Sequence, residues 1–227
     1  MEQKNVVLVI CETLAPEIED KVPPHVEVNV IEFGLHLFPK ELNKKLRDIL
    51  GALDREGKWD LILLGYGLCS EGVVGLKSEK SKIVMPRTDD CIAIFLGSTE
   101  AYKKELTRDP GTYYLTKGWI EHGEDPLSIS TRRHQWTKKY DEQTAQWVAR
   151  EIMKNYTRIA LIDTGTYELS PYIAYAKKVA ETFDLKFEII PGSLFLLEKL
   201  LHGPWDDNFL ALEPGQEITK EMFLPKY

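Results

Sequence analysis

The sequence predicts an α/β fold in which parallel strands alternate with helices. Residues 6–10 form a continuous, mostly β-branched run, typical of a strand that is buried on both faces. Residues 59–64 and 82–85 form further apolar runs, and turns containing Gly or Pro follow them. Helix-length segments separate these runs. Because such alternation is typical of parallel sheets covered by helices, it indicates the α/β class.

The remaining elements follow the same rhythm. Residues 26–31 alternate between apolar and polar side chains and predict a second strand, and leucines at helical spacing after Pro39 predict a helix. In the last third, strands are predicted over residues 158–163, 186–190 and 209–212, with helices over 171–183 and 193–202. The segment 97–123 is aromatic and contains Gly and Pro, and it predicts irregular structure.

The predicted organisation is two Rossmann-like lobes with parallel sheets, joined by a long amphipathic helix. The N-terminal lobe spans residues 1–125, the linking helix lies within 126–155, and the C-terminal lobe spans 156–227. The helix is expected over about 128–155. Its expected buried stripe consists of Trp136, Tyr140, Trp147, Val148 and Ile152. A functional site would then lie in the cleft between the lobes.

Composition and charge exclude several classes of protein. A formal net charge of -7 disfavours a nucleic-acid partner, because phosphate binding requires clustered Lys and Arg. No stretch approaches the roughly 20 apolar residues of a membrane-spanning helix. The first residues lead directly into a strand without a secretory signal pattern, so we expect a cytoplasmic protein without a membrane partner.

The three cysteines are the main candidates for chemistry. Cys11, Cys69 and Cys91 each follow a predicted strand. Because the carboxyl ends of parallel strands gather at one edge of a sheet, these thiols are expected to converge there as metal ligands. Cysteines in a cytoplasmic chain also argue against a disulfide framework. The competing interpretation is that the thiols are buried packing residues, as free cysteines often are.

Polar residues near the cysteines complete the predicted site. Arg87 could orient an anionic substrate, Tyr113 could contribute a hydrogen-bonding wall, and His36 is a candidate substrate contact or fourth metal ligand. Asp90 and Glu121 are candidate catalytic bases. The Gly-x-Gly turn at residues 65–67 lacks the later glycine of a dinucleotide fingerprint, so a nicotinamide cofactor is not expected.

Three longer motifs give the chain a resemblance to a known family. They are LGYGLCSEGVVGL at residues 64–76, PRTDDC at 86–91 followed by FLGS at 95–98, and GTYYLTKGW at 111–119. In these the chain resembles DUF1638, a family of uncharacterised archaeal and bacterial proteins. The resemblance implies an occurrence mainly in anaerobes, often beside corrinoid-dependent methyltransferases of one-carbon metabolism. By association, it implies a shared function for the cysteines and a corrinoid methyltransferase system as a partner.

Three functions from different classes remain open at this stage. The favoured one is an iron–sulfur protein that holds a 4Fe–4S cluster on the three cysteines and acts on a small-molecule substrate in anaerobic one-carbon or corrinoid-linked methyl metabolism. The second is a zinc-dependent, methyltransferase-like enzyme in which Glu121 or Asp90 serves as base. The third is a non-enzymatic module that binds a small molecule or a corrinoid protein, with the cysteines merely buried.

Overall fold

The computed structural model describes residues 5–224 apart from 34, 36, 37, 124 and 134, and it confirms the α/β class. The first sheet has five strands in the order β2-β1-β3-β4-β8. These strands are β1 (Val6–Cys11), β2 (Val26–Ile31), β3 (Leu61–Gly65), β4 (Lys82–Pro86) and β8 (Phe209–Leu212). All pairs in it are parallel except the pair between β4 and β8, so the predicted parallel sheet is in fact mixed.

The second sheet is parallel throughout and has three strands in the order β5-β6-β7. They are β5 (Thr112–Leu115), β6 (Arg158–Asp163) and β7 (Lys186–Pro191). At the start of β6, Arg158 is buried and its guanidinium contacts the carboxylates of Glu105 and Glu188 and the Thr112 hydroxyl. This network supplies the charge compensation that a buried guanidinium requires.

The helices lie between the strands as the α/β pattern requires. They are α1 (Pro39–Glu56), α2 (Cys91–Phe95), α3 (Thr99–Arg108), α4 (Lys117–His122), α5 (Pro126–Ser130), α6 (Glu142–Met153), α7 (Ser170–Phe183) and α8 (Phe195–His202). Helix α1 is an example of how the sequence determines a helix. Pro39 lies in its first turn, and four leucines at helical spacing are buried. Gly57 ends it in the left-handed conformation, with its N–H bonded to the Leu53 carbonyl at 3.1 Å.

The division of strands between the sheets differs from the order along the chain. Strand β5 lies within the residues predicted as the first lobe, yet it pairs with β6 in the second sheet. Strand β8 lies within the residues predicted as the last lobe, yet it pairs with β4 in the first sheet. The chain therefore leaves the first sheet after β4 and returns to it only at β8.

The predicted long helix over residues 128–155 is instead three short helical segments: α5, a 3-10 helix (Gln135–Lys139) and α6. The break has local causes. Arg132 has a left-handed φ of 55°, and the Asp141 side chain caps α6 by accepting from the Thr144 N–H at 2.7 Å. The predicted apolar stripe is also wrong in α6, because Trp147 and Ile152 are exposed while Ala145, Ala149 and Met153 are buried.

Segment 97–123 is more regular than the sequence indicates, since it contains α3, β5 and α4. Strand β5 has only four residues, which is too short to show a clear alternation. Buried side chains form two hydrophobic clusters, one around the first sheet and one around the second. Among the described helices, none is both long enough and apolar enough to cross a membrane.

Candidate three-cysteine site

The cysteines follow three strands that are neighbours in the first sheet. Cys11 is the last residue of β1, Cys69 lies in the turn after β3, and Cys91 is the first residue of α2 after β4. Strands β1, β3 and β4 are adjacent and parallel. All three thiols therefore lie beyond the carboxyl ends of adjacent strands, the edge where open α/β sheets bind ligands.

The three side chains are buried in the same hydrophobic cluster. Burial is the largest cause of the raised pKa of each thiol, and it brings the pKa of Cys69 to about 12. Negative charge on Cys11 further raises the pKa of Cys69, and charges on Cys69 and Cys11 raise that of Cys91. All three cysteines contribute to the raised pKa of Tyr66, behind burial as its first cause. Cys91 therefore lies close enough to Cys69 and Cys11 for their charges to affect its pKa, and Cys69 lies close enough to Cys11 for the same effect.

Hydrogen-bond donors surround two of the sulfurs. The Thr13 hydroxyl lies 3.2 Å from the Cys11 Sγ, and the main-chain amides of Thr13 and Leu14 also act to lower the pKa of that thiol. The amides of Gly67 and Cys91 act in the same direction on Cys69. Since these donors favour the charged form of a thiol, they oppose the effect of burial and would stabilise a thiolate bound to a metal.

The loops that carry Cys69 and Cys91 are tied together by their main chains. The Leu68 N–H donates to the Thr88 carbonyl at 2.8 Å, and the Cys69 N–H donates to the Asp89 carbonyl at 3.0 Å. A Cβ at Gly67 would lie 2.7 Å from Thr88 Oγ1, so this close approach requires glycine. The spacing between the two thiols is thus set by fixed backbone rather than by flexible loops.

Cys69 begins an unusual turn. Cys69, Ser70 and Glu71 have φ angles of 46°, 54° and 70°, so three successive non-glycine residues are left-handed. This conformation costs roughly 1–2 kcal/mol per residue. Such strain is characteristic of functional sites, where the surrounding structure holds it in place.

Asp90 caps the helix that begins with Cys91. Its Oδ1 accepts from the Ile92 N–H at 2.9 Å and the Ala93 N–H at 3.3 Å, and its Oδ2 accepts from the Tyr102 hydroxyl at 3.0 Å. Burial is the main cause of the raised pKa of this carboxyl. Asp90 therefore lies directly before Cys91, with both oxygens engaged in hydrogen bonds. Its role as a base stays a prediction.

Two predicted substrate contacts lie elsewhere or outside the described part of the chain. Arg87 is half-buried and lines a cavity of about 450 Å³ together with Asp89, Lys103 and Asp207. Its N–H donates to the Asn208 carbonyl at 2.8 Å, which ties it to the segment before β8. His36 lies outside the described residues.

Tyr113 and Glu121 belong to the surroundings of the second sheet. Tyr113 packs against the second hydrophobic cluster, and its hydroxyl accepts from the Trp119 indole N–H at 3.3 Å. The Glu121 carboxylate is exposed and accepts from the Tyr172 hydroxyl, on α7, at 2.5 Å. The structure therefore places the cysteines and Asp90 at the carboxyl ends of strands in the first sheet, and Tyr113 and Glu121 in contacts of the other sheet.

Sequence reasoning missed two groups near Cys11. Glu12 accepts from the Phe33 N–H at 3.0 Å, and its other oxygen lies 3.3 Å from the Nδ1 of His122, on α4. Helix α4 packs closely against the main chain of Thr13, and Gly118 makes this possible because it has no side chain. A Cβ at this position would lie 2.3 Å from the Thr13 carbonyl oxygen. The position of Glu12 directly after Cys11 was an available signal, whereas nothing in the sequence joins His122 to it.

Within the part of the chain that the structure describes, no three or more His, Cys, Asp or Glu side chains form a group that could hold a metal ion. Thiol sulfur is nevertheless the donor that iron–sulfur centres use, and the amides near Cys11 and Cys69 would favour thiolates at those two residues.

No curated protein and no solved structure matches the chain. One family model does match, over residues 30–201, and its description is "Protein of unknown function (DUF1638)". The match includes Cys69 and Cys91 and covers well over half of the sequence. The chain therefore belongs to the DUF1638 family.

Proposed function

We propose that this protein is a metal-binding protein whose Cys11, Cys69 and Cys91 hold a 4Fe–4S cluster. The observation that carries the proposal is the position of the three buried thiols at the carboxyl ends of adjacent strands, with main-chain amides near the sulfurs of Cys11 and Cys69 and the Thr13 hydroxyl 3.2 Å from the Cys11 Sγ. Iron–sulfur clusters are bound by cysteine thiolates, and hydrogen bonds to the sulfurs tune them. Three protein thiolates would leave one iron open to a small-molecule ligand.

The raised pKa values give the proposal a thermodynamic consequence. Burial favours the protonated thiols when no metal is bound, and Cys69 has a pKa of about 12. Metal ligation requires thiolates, so binding must release protons to the solvent. The affinity for the centre should therefore rise with pH, and proton release should accompany metal uptake in a weakly buffered solution.

The direct test is to purify the full chain without oxygen and to reconstitute it with ferrous iron and sulfide. We expect broad visible absorption and about four iron and four sulfide per chain, and we expect Cys69→Ser to lower the bound iron strongly. Ser70 is exposed and adjacent in the same turn, so Ser70→Ala is the matched control and should retain full iron content. A colourless wild-type protein that remains folded without metal would refute the proposal.

Zinc is the alternative occupant, and elemental analysis separates it from a cluster. A single zinc per chain, without absorption or sulfide, would favour the methyltransferase-like enzyme. In that enzyme Glu121 or Asp90 would act as base, and chelation would remove activity. Both variants, Glu121→Gln and Asp90→Asn, would then lower turnover without lowering zinc content.

A second candidate function is a binding module with purely structural cysteines. The observation in its favour is that burial raises the pKa of all three thiols, as expected of inert packing residues. Under this function, replacing all three cysteines by serine would preserve the ligand binding of the module. Under the metal proposal, the same variant would lose the centre and every property that depends on it.

The proposed setting is the cytoplasm of an anaerobic cell, with a small-molecule substrate or a corrinoid methyltransferase system as partner. The support for the partner is the family resemblance alone. The net charge of -7 supports the expectation that nucleic acid is not among the ligands.

A further inference from the structure

A second polar cavity lies at the carboxyl ends of the second sheet, beside the loop that follows Cys11. Its volume is about 380 Å³. Carboxyl groups of Glu17, Glu19 and Asp20 line one side, and the loop after β6 lines the other with Thr164 and Thr166. It thus lies between the loops of the two sheets, where ligands commonly bind.

Glu17 is the buried carboxyl residue among those that line this cavity. Its side chain is only 1% exposed. Its Oε2 accepts hydrogen bonds from the hydroxyls of Thr164 at 2.5 Å and Thr166 at 2.7 Å. Its Oε1 is also buried and has no hydrogen-bond partner among the residues that the structure describes. A buried carboxylate oxygen without a donor is costly, and such a group requires a functional explanation.

The groups around Glu17 compensate the cost of burying its negative charge only in part. Burial raises the pKa of this carboxyl more than the two threonine hydroxyls and Lys117 lower it, and Asp163 raises it further. The Lys117 Nζ lies 5.5 Å from the Tyr167 ring centroid, in a cation–π contact. The cation that lines the cavity itself, Lys21, is paired with Glu198 at 2.9 Å.

The walls of the cavity and the space at its edge indicate which kind of ligand it could hold. Pro16 and Leu194 supply apolar wall next to the carboxylates. Gly165, at the tip of the loop after β6, has no atom within 4 Å of the position a Cβ would take, so the space above it is open. A ligand with a short hydrocarbon chain and a positively charged end matches this combination of apolar wall and acidic lining.

We infer that this cavity binds a short aliphatic amine, whose ammonium group donates to the Oε1 of Glu17. An ammonium group supplies the donor that Oε1 lacks and the positive charge that the acidic lining requires. Glu19 and Asp20, which are exposed at the entrance, would attract the cation or hold a second ammonium group. An anionic ligand would instead face three carboxyl groups.

Isothermal titration of the full chain with diaminobutane tests this inference, with butanediol and butanedioate as neutral and anionic probes of similar length. We expect saturable binding of the diamine alone. Glu17→Gln should weaken it by about tenfold to a hundredfold, the effect of removing one charge-assisted hydrogen bond. Glu213→Gln removes the same charge at an exposed ion pair with Lys82, and it should change the affinity less than about twofold.

A second variant tests the contribution of the two exposed acidic side chains. Glu19→Gln with Asp20→Asn neutralises two exposed side chains and should weaken the diamine and reduce the salt dependence of its binding. Equal binding of diamine by wild type and Glu17→Gln would overturn the inference, as would binding of butanedioate or butanediol in preference. Iron content is expected to be unchanged in Glu17→Gln, so failure here is distinguishable from failure of the metal proposal.

Discussion

Asp90→Ala should destabilise the protein and expose the Cys91 thiol. The substitution removes two cap bonds at the start of α2, a loss of about 1 kcal/mol, and it leaves the half-buried Tyr102 hydroxyl without its acceptor, at roughly 1–2 kcal/mol. The expected loss in the free energy of unfolding is therefore about 2–3 kcal/mol. Because Cys91 is the first residue of the capped helix, fraying of α2 reaches this thiol first.

Two measurements on the metal-free protein check this prediction. Urea unfolding gives the free energy, and the rate of thiol modification by Ellman's reagent gives the exposure of Cys91, which should rise about tenfold or more. Asp90→Asn is the matched control. Asn caps helices as well as Asp does, and burial already raises the pKa of the Asp90 carboxyl, so a neutral side chain should be tolerated.

Either of two results would refute the reasoning. If Asp90→Ala costs less than about 1 kcal/mol with unchanged thiol reactivity, the cap does not hold Cys91 in place. If Asp90→Asn is as damaging as Asp90→Ala, the charge of Asp90 matters more than its hydrogen bonds. The second result would also favour the predicted role of Asp90 as a base.

Three further perturbations have expected outcomes. Glu17→Gln should be more stable than wild type at neutral pH. Burial raises the pKa of the folded Glu17 carboxyl above 4.5, so wild-type stability falls as the pH rises from 4.5 through the folded pKa. In thermal unfolding, the higher stability of the variant should disappear below pH 4.5. Arg158→Met should lower the free energy of unfolding by about 1–3 kcal/mol in urea, because Glu105 and Glu188 lose their charged hydrogen bonds to Arg158 while Arg108 still pairs with both; a loss below about 0.5 kcal/mol would contradict this. Gly118→Ala places a methyl group against the Thr13 main chain and should cost about 1–3 kcal/mol, and an unchanged unfolding midpoint would show that α4 shifts freely.

Much of the fold could be predicted because buried parallel strands have a clear sequence pattern. The runs at residues 6–10 and 158–163 are such strands in the structure, and the run at 209–212 is also a strand, although it pairs antiparallel with β4. The prediction of one long helix was wrong because hydrophobic periodicity carries no information about helix caps, and Asp141 caps the start of a separate helix, α6. In α6, Ala145 and Ala149 face the interior and Trp147 does not. A search for large apolar residues at helical spacing overlooks alanines, so a helix face that is buried through small residues is not recognised as the buried face.

That each cysteine follows a strand could be predicted from the sequence, and the structure makes those three strands neighbours in one sheet. The polar residues near the cysteines were harder to predict. The cap at Asp90 has a sequence signal, an Asp directly before an apolar run, that indicates a helix start. Glu17 has none, because its partner Thr164 lies 147 residues away in the sequence and meets it only when the loops of the two sheets come together.

The return of β8 to the first sheet means that this sheet is built from two separate stretches of chain, whereas the second sheet is one continuous stretch between them. A fragment cut before Phe209 would leave the edge of β4 unpaired and open to strand addition by another molecule. Cutting after β4 would likewise remove β8 from the strands it completes. Limited proteolysis should therefore yield no stable fragment that holds the first sheet without β8.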